Sequence, residues 1–229
     1  MNQRLSRRLD FMKRLTNQEK IWGGGFGTEF TRRNYSNIKN IASFDKLHRE
    51  NFGIGREELY RKFIGNLDRS AKILEVGSNI GTQLALLRKI GFSNLYGVEI
   101  NRDAVIKSRH LFPDINVVEG SAFDIPFKDG FFDLVFTAAV LIHFPRPDIK
   151  RVMSEMYRCS KKYIWGYEYY ADKHTEIVYR GNRNILWKGN FAGKFLNLFK
   201  DLRLIKKKEM PYLSSANVDM MYLLKKNRI

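Results

Sequence analysis

The stretch Ile73-Leu74-Glu75-Val76-Gly77-Ser78-Asn79-Ile80-Gly81-Thr82 constrains this chain more than any other. An apolar run enters a turn with two glycines, and a helical pattern follows over residues 82–90, stopped by Gly91. Glycine permits positive φ and lets a backbone approach a ligand closely. The order strand, glycine turn, helix recurs where parallel strands present a ligand at their carboxyl ends. Strands and helices then alternate. Residues 71–76 and 95–100 read as the first two strands, and Asn101 is placed to cap a helix that stops at Pro113. Residues 115–118 make a third strand. Residues 132–137 are nearly all apolar, as a strand buried on both faces is. Pro147 and Asp148 open a helix to about Cys159, with Ile149, Val152, Met153 and Met156 on one side. Residues 163–167, 202–206 and 220–224 supply three more strands. The prediction is an α/β fold with a mainly parallel seven-stranded sheet and helices on both faces.

The chain of 229 residues suits one such domain with an appendage. We place the domain at residues 51–229, opened by a helix with Leu59, Phe63, Ile64 and Leu67 on one face. Residues 1–50 form an N-terminal helical extension. Its first 20 residues read as a basic helix through Leu5, Leu9, Met12 and Leu15, packed on its own domain or lying on an anionic membrane. Trp22-Gly23-Gly24-Gly25-Phe26-Gly27 then reads as a mobile, glycine-rich segment that closes over a bound cofactor, or as a linker anchored by two aromatics.

No run of 18 apolar residues appears, so no transmembrane segment is expected. Cys159 is the single cysteine, which excludes an internal disulfide and suits a cytoplasmic location. Net charge is +17, and it is unevenly spread: +7 over residues 1–70, −1 over 71–140 and +11 over 141–229. The basic excess avoids the glycine loop. It suits an anionic acceptor, nucleic acid or an anionic surface, or else simply solvates the protein.

The ligand of the loop follows by elimination and by charge. No Lys follows Gly81, so the phosphate-binding P-loop is excluded, and Asn79 stands where a dinucleotide loop needs its second glycine. Glu75 beside the loop would repel a pyrophosphate but suits a cationic ligand. S-adenosylmethionine carries both an ammonium and a sulfonium, and its carboxylate suits a helix N-terminus. Glu99 ends the second strand, 18 positions beyond Gly81, where an acid can accept both ribose hydroxyls. Ser121-Ala122-Phe123-Asp124 follows the third strand. Asp124 is placed to accept from the adenine amino group, with Ala122 and Phe123 beside the ring. No His, Cys, Asp and Glu grouping has metal-ligand spacing.

With these residues in place, the chain resembles the Rossmann-like class I methyltransferases. More narrowly, it resembles the pseudaminic-acid-biosynthesis-associated methylase family. The resemblance runs from about Trp22 to Leu224. It rests on the Trp22 motif followed by Arg32-Arg33-Asn34, on the loop, and on Leu141-Ile142-His143. It also rests on Glu168-Tyr169-Tyr170, Tyr179-Arg180-Gly181 and Asp219. It implies methylation of a nonulosonic acid or a nucleotide-linked sugar of surface polysaccharide biosynthesis, with S-adenosylmethionine as cofactor. Such acceptors are small and anionic. In this reading His143 and Glu168, just beyond strands four and five, are the catalytic candidates. Tyr170, Tyr179 and Arg180 line the acceptor pocket, while Trp22 and Phe26 close over the cofactor. For His143 a loop-bonding role is the alternative, and for Glu168 an ion pair with a nearby Arg. Two other functions stay open: an RNA methyltransferase, which the basic ends suit but no appended RNA-binding module supports, and a non-catalytic S-adenosylmethionine-binding subunit. The sequence sets no oligomeric state.

Overall fold

The computed structural model describes residues 15–37 and 41–227. Most of the expected basic helix over residues 1–20 lies outside the described residues. Four helices precede the sheet: α1 (Asn17–Gly23), α2 (Gly25–Asn37), α3 (Ile41–Phe52) and α4 (Arg56–Ile64). Then come β1 (Ile73–Val76), α5 (Thr82–Lys89), β2 (Leu95–Glu99), α6 (Arg102–Leu111), β3 (Asn116–Glu119) and β4 (Phe132–Ala138). A 3-10 turn (Leu141–His143) leads to α7 (Arg146–Cys159) and β5 (Ser160–Tyr169). A two-residue ribbon, β6 (Thr175–Glu176) and β7 (Trp187–Lys188), precedes α8 (Phe191–Leu198), β8 (Leu202–Pro211) and β9 (Val218–Lys226).

The seven-stranded sheet has the order β3-β2-β1-β4-β5-β9-β8. Its first five strands pair in parallel, and β9 runs antiparallel between β5 and β8. This is the expected Rossmann-like sheet. The central strand β1 is buried along its whole length, which suits its apolar Ile73, Leu74 and Val76, with Glu75 as the one buried acid. Two apolar clusters fill the layers on either side of the sheet. One gathers Val135, Val152 and Met156 against Phe195, and the other gathers Leu84 and Leu87 against Trp165. Helix α7 buries Ile149, Val152, Met153, Met156 and Cys159, the stripe its spacing predicts.

The last two strands are longer than the apolar pattern suggests. Strand β8 continues to Pro211 although residues 203–209 are exposed, because it pairs with β9 over its whole length. Lys206, Lys207 and Lys208 therefore decorate a sheet edge, where charge discourages pairing with another chain. Helices α3 and α8 and the small ribbon are additions to the predicted elements. Helix α8 contains Gly193, a poor helix former, yet forms because Asn190 caps it and Phe191 and Phe195 bury.

The glycine-rich N-terminal segment corrects the expectation of a mobile loop: it is two helices meeting at a sharp corner. Thr16 and Glu19 form a reciprocal capping box at the start of α1. A Cβ on Gly27 would lie 1.8 Å from the Trp22 carbonyl oxygen, so glycine there serves close backbone approach rather than freedom. The corner seats Trp22 edge-on to Phe26 and Phe30, at 5.2 and 5.3 Å between centroids.

Asn101 joins this extension to the sheet. Its side-chain oxygen caps α6 by accepting from the Ala104 amide at 3.1 Å. Its Nδ2 donates to the Trp22 carbonyl at 3.3 Å and the Thr28 hydroxyl at 3.1 Å. Asn101→Ala should therefore lose about 1–2 kcal/mol for the cap, and more for the stranded acceptors. Asn101→Asp keeps the cap and loses both donated bonds, so its urea midpoint should fall between those of Asn101→Ala and wild type.

Candidate active site

The carboxyl ends of β1, β2 and β4 open onto one cavity of about 320 Å³, roofed by α1 and α2. The loop after β1 shapes its floor. Gly77, Asn79 and Gly81 all take positive φ, at 74°, 46° and 81°. A Cβ on Gly77 would lie 2.8 Å from a Val140 methyl, so only glycine fits there. Asn tolerates the left-handed region better than most residues, and Asn79 Nδ2 donates to the Thr31 hydroxyl on α2 at 2.9 Å.

Glu99 holds this loop in place. It is 7% exposed, and its two oxygens accept from the Asn79 amide at 2.8 Å and the Asn101 amide at 2.7 Å. Each carboxylate oxygen keeps capacity for another donor. Burial raises its pKa above the ordinary carboxylate value, and the backbone amides oppose that. Glu75, at the end of β1, is 2% exposed, and its Oε2 has no partner among the described residues. Burial, then the charge of Glu99, raises its pKa well above the ordinary range. An orphaned carboxylate oxygen in the cavity wall fits a ligand that brings a cation or an N–H donor. Gly81 is the N-cap of α5 and supplies no side-chain cap, so the helix start faces the cavity beside Thr82 and Gln83. These are donors and acceptors of the kinds S-adenosylmethionine needs: acids for its ribose and ammonium, and a helix start for its carboxylate.

The cavity brings together Trp22, Glu75, Gly77, Asn79, Glu99, Ala122, Phe123 and His143 from the expected set. His143 Nδ1 lies 2.8 Å from the Ile185 carbonyl. A carbonyl only accepts, so Nδ1 carries the proton and Nε2 the lone pair. Burial lowers the His143 pKa to about 4, which keeps the ring neutral at pH 7. Trp22 packs on it at 4.2 Å between centroids.

The remaining expected residues lie outside the lining. Phe26 supports Trp22 from behind, and Gly81 acts through the turn. Asp124 is exposed, and its amide closes a turn on the Ser121 carbonyl. At that position the cavity is met by Ser121, whose hydroxyl donates to Glu19 of α1 at 2.5 Å. Tyr170 donates to Asp172 instead of the cavity, and Tyr179 and Arg180 sit in a tight turn closed by Asn182. Glu168 is also corrected. It is 1% exposed and accepts from the amides of Val140 at 3.1 Å and Ile142 at 3.4 Å. Glu168 thus pins the turn that carries Val140 and His143, as a positioning residue rather than a group facing an acceptor.

Arg56, at the head of α4, lines the cavity and was not singled out by sequence pattern. Its guanidinium lies over Phe44 at 5.0 Å and Tyr167 at 4.3 Å. Its Nε has no hydrogen-bond partner among the described residues. Among the described residues it is the only Lys or Arg in a lining that holds three carboxylates, those of Glu19, Glu75 and Glu99. A glycine followed by an arginine is too common a pair to have marked it. Among the described residues, no group of three His, Cys, Asp or Glu is placed to hold a metal, and no helix is long and apolar enough to cross a membrane.

Burial raises the Glu168 pKa from the ordinary 4.5 to about 7. Between those values the native state keeps a proton that the unfolded chain has released, so stability falls as pH rises through the window. Glu168→Gln removes that dependence. Its denaturation midpoint should gain on wild type steadily from about pH 4.5 to about pH 7. A constant difference across that range would refute the assignment.

Residues 74–163 match the model of a methyltransferase domain. An uncharacterised protein of Haemophilus influenzae is 30% identical over 103 residues, covering 42% of this chain and 41% of that protein. A sterol 24-C-methyltransferase of Pneumocystis carinii is 23% identical over 168 residues, covering 66% of this chain and 44% of that one. The chain thus spans less than half the length of these curated relatives. A solved Leishmania major structure, described as an S-adenosylmethionine-dependent methyltransferase, superposes with a TM-score of 0.67 at 15% identity, covering 92% of this chain and 87% of that one. The strand order, the crevice at the sheet's carboxyl edge and the match over residues 74–163 agree on a Rossmann-like methyltransferase domain in the middle of the chain, and S-adenosylmethionine is the cofactor that such a domain implies.

Proposed function

We propose that the protein transfers a methyl group from S-adenosylmethionine to a small anionic acceptor, a nonulosonic acid or nucleotide-linked sugar used in surface polysaccharide. One observation supports an anionic acceptor above others: Arg56, the one guanidinium lining the cavity among the described residues, lies over two aromatic rings with no described partner for its Nε. A guanidinium so placed recognises a carboxylate or phosphate with a fixed fork of donors.

When bound, the cofactor supplies an electrophilic methyl on sulfur; its C–S bond breaks as a bond to an acceptor oxygen or nitrogen forms. The protein's part is orientation, dryness and a place for the released proton. Glu99 would hold the ribose hydroxyls, and Glu75 would meet the ammonium. Ala122 and Phe123 would lie beside the adenine. Trp22 and Phe30, on the helical roof, exclude water. His143 Nε2 takes the proton of an acceptor hydroxyl or contacts the acceptor directly. Its pKa of about 4 makes it a weak base, suited to a proton that becomes acidic only as the methyl bond forms.

Calorimetry with S-adenosylmethionine should show Glu99→Ala weakening affinity at least tenfold. With a labelled methyl donor and a panel of nonulosonic acids, nucleotide-linked sugars and RNA, His143→Ala should lower kcat while leaving cofactor affinity near wild type. Arg56→Gln should raise KM for the anionic acceptor at least tenfold. Turnover on RNA and on no sugar would replace this reading by the nucleic-acid one. Cofactor binding with no turnover on any acceptor would support a binding subunit.

A further inference from the structure

A second recess of about 510 Å³ lies between the head of α7, the segment leading into β6, and α8. Its wall holds Arg146, Lys150, Lys173 and Lys194 against one carboxylate, Asp172. That carboxylate already accepts from the Tyr170 hydroxyl at 2.5 Å. Among the described residues, none of the four cations makes an ion pair within 4 Å. Arg146 reaches only the His174 carbonyl, at 3.5 Å.

His174 sits among them. Its ring lies parallel to Trp187 at 13° and edge-on to Phe191. Both of its ring nitrogens are buried and have no partner among the described residues. A buried polar atom ordinarily finds a partner in the protein or in what it binds. Burial, followed by the neighbouring cations, depresses both His174 and Lys194. Four cations drawn together from three chain segments around a single carboxylate, and in no ion pair among the described residues, are complementary to a compact anion.

The recess adjoins the cofactor cavity. Phe144 lines the cavity and Arg146, two residues on, lines the recess. His143 is bonded to Ile185, and Trp187, two residues on, underlies His174.

We propose that this recess binds a phosphate or pyrophosphate group through Arg146, Lys150, Lys173 and Lys194, with His174 completing its hydrogen bonds. Its occupant is the diphosphate of a nucleotide-linked acceptor, a point that rests on the methyltransferase reading above, or a free phosphate-bearing metabolite.

The test titrates inorganic pyrophosphate into the full chain by calorimetry at low salt, without S-adenosylmethionine. Saturable binding is expected, and it should weaken as salt is raised. Lys150→Ala and Lys194→Ala should each weaken it at least fivefold, while Lys208→Ala on the β8 edge leaves it unchanged. A nucleoside diphosphate binding at least tenfold tighter than pyrophosphate assigns the site to a nucleotide-linked acceptor. Equal affinities assign it to a free phosphate. Absent binding overturns the proposal, as do equal losses in Lys150→Ala and Lys208→Ala. So does RNA binding that depends on these lysines while pyrophosphate is silent. A separate titration should show Lys194→Ala binding S-adenosylmethionine as wild type does. Failure of the cofactor to bind any of these proteins would remove the methyltransferase reading and leave the pyrophosphate result standing.

Discussion

The buried Glu99 carboxylate is the interaction on which the cavity depends. One oxygen accepts from the glycine loop through the Asn79 amide, and the other accepts from Asn101 at the entrance to α6. Each of those residues reaches upward in turn. Asn79 bonds Thr31, and Asn101 bonds Trp22 and Thr28. One acid at the tip of β2 thereby joins the loop, a helix N-terminus and the helical roof. The two backbone amides oppose the cost of taking this carboxylate out of water, and burial is the larger of the two effects.

Charge inside the molecule is sorted by task. Among the described residues the cavity gathers Glu19, Glu75 and Glu99 against one guanidinium, that of Arg56. Carboxylates suit a cofactor that carries a sulfonium and an ammonium, and the lone cation suits an anionic group on either the cofactor or its acceptor. The net charge of +17 belongs largely elsewhere. Part of it guards the β8 edge, and part converges on the recess beside α7. A single composition figure thus hides at least two physical roles.

Much of the fold was legible in the chain itself. The seven main strands and helices α5, α6 and α7 follow from apolar period, from the glycines and from Asn101 as a cap. These signals are local: a buried strand needs a run of apolar residues, and a helix start needs its first amides satisfied. Helix α8 and the length of β8 were not legible, because both depend on distant partners that outweigh local propensity. The glycine-rich N-terminal segment misled for a related reason. Freedom of φ and closeness of packing both select glycine, and only the position of Trp22 against Gly27 tells them apart.

The site divides in the same way. The sequence alone determined the glycine loop, Glu75 and Glu99, because a ligand at the end of a parallel strand demands those residue types at those spacings. Only the tertiary structure separated Glu99 from Glu168. Both are acids at or near strand ends, yet one faces the cavity and the other is turned toward the amides of Val140 and Ile142. Only tertiary structure, too, set Arg56 between Phe44 and Tyr167, residues from elements far apart in the chain. A residue's type and its distance from a turn are local properties. The direction its side chain takes is decided by what packs around it, and that is assembled from the whole chain.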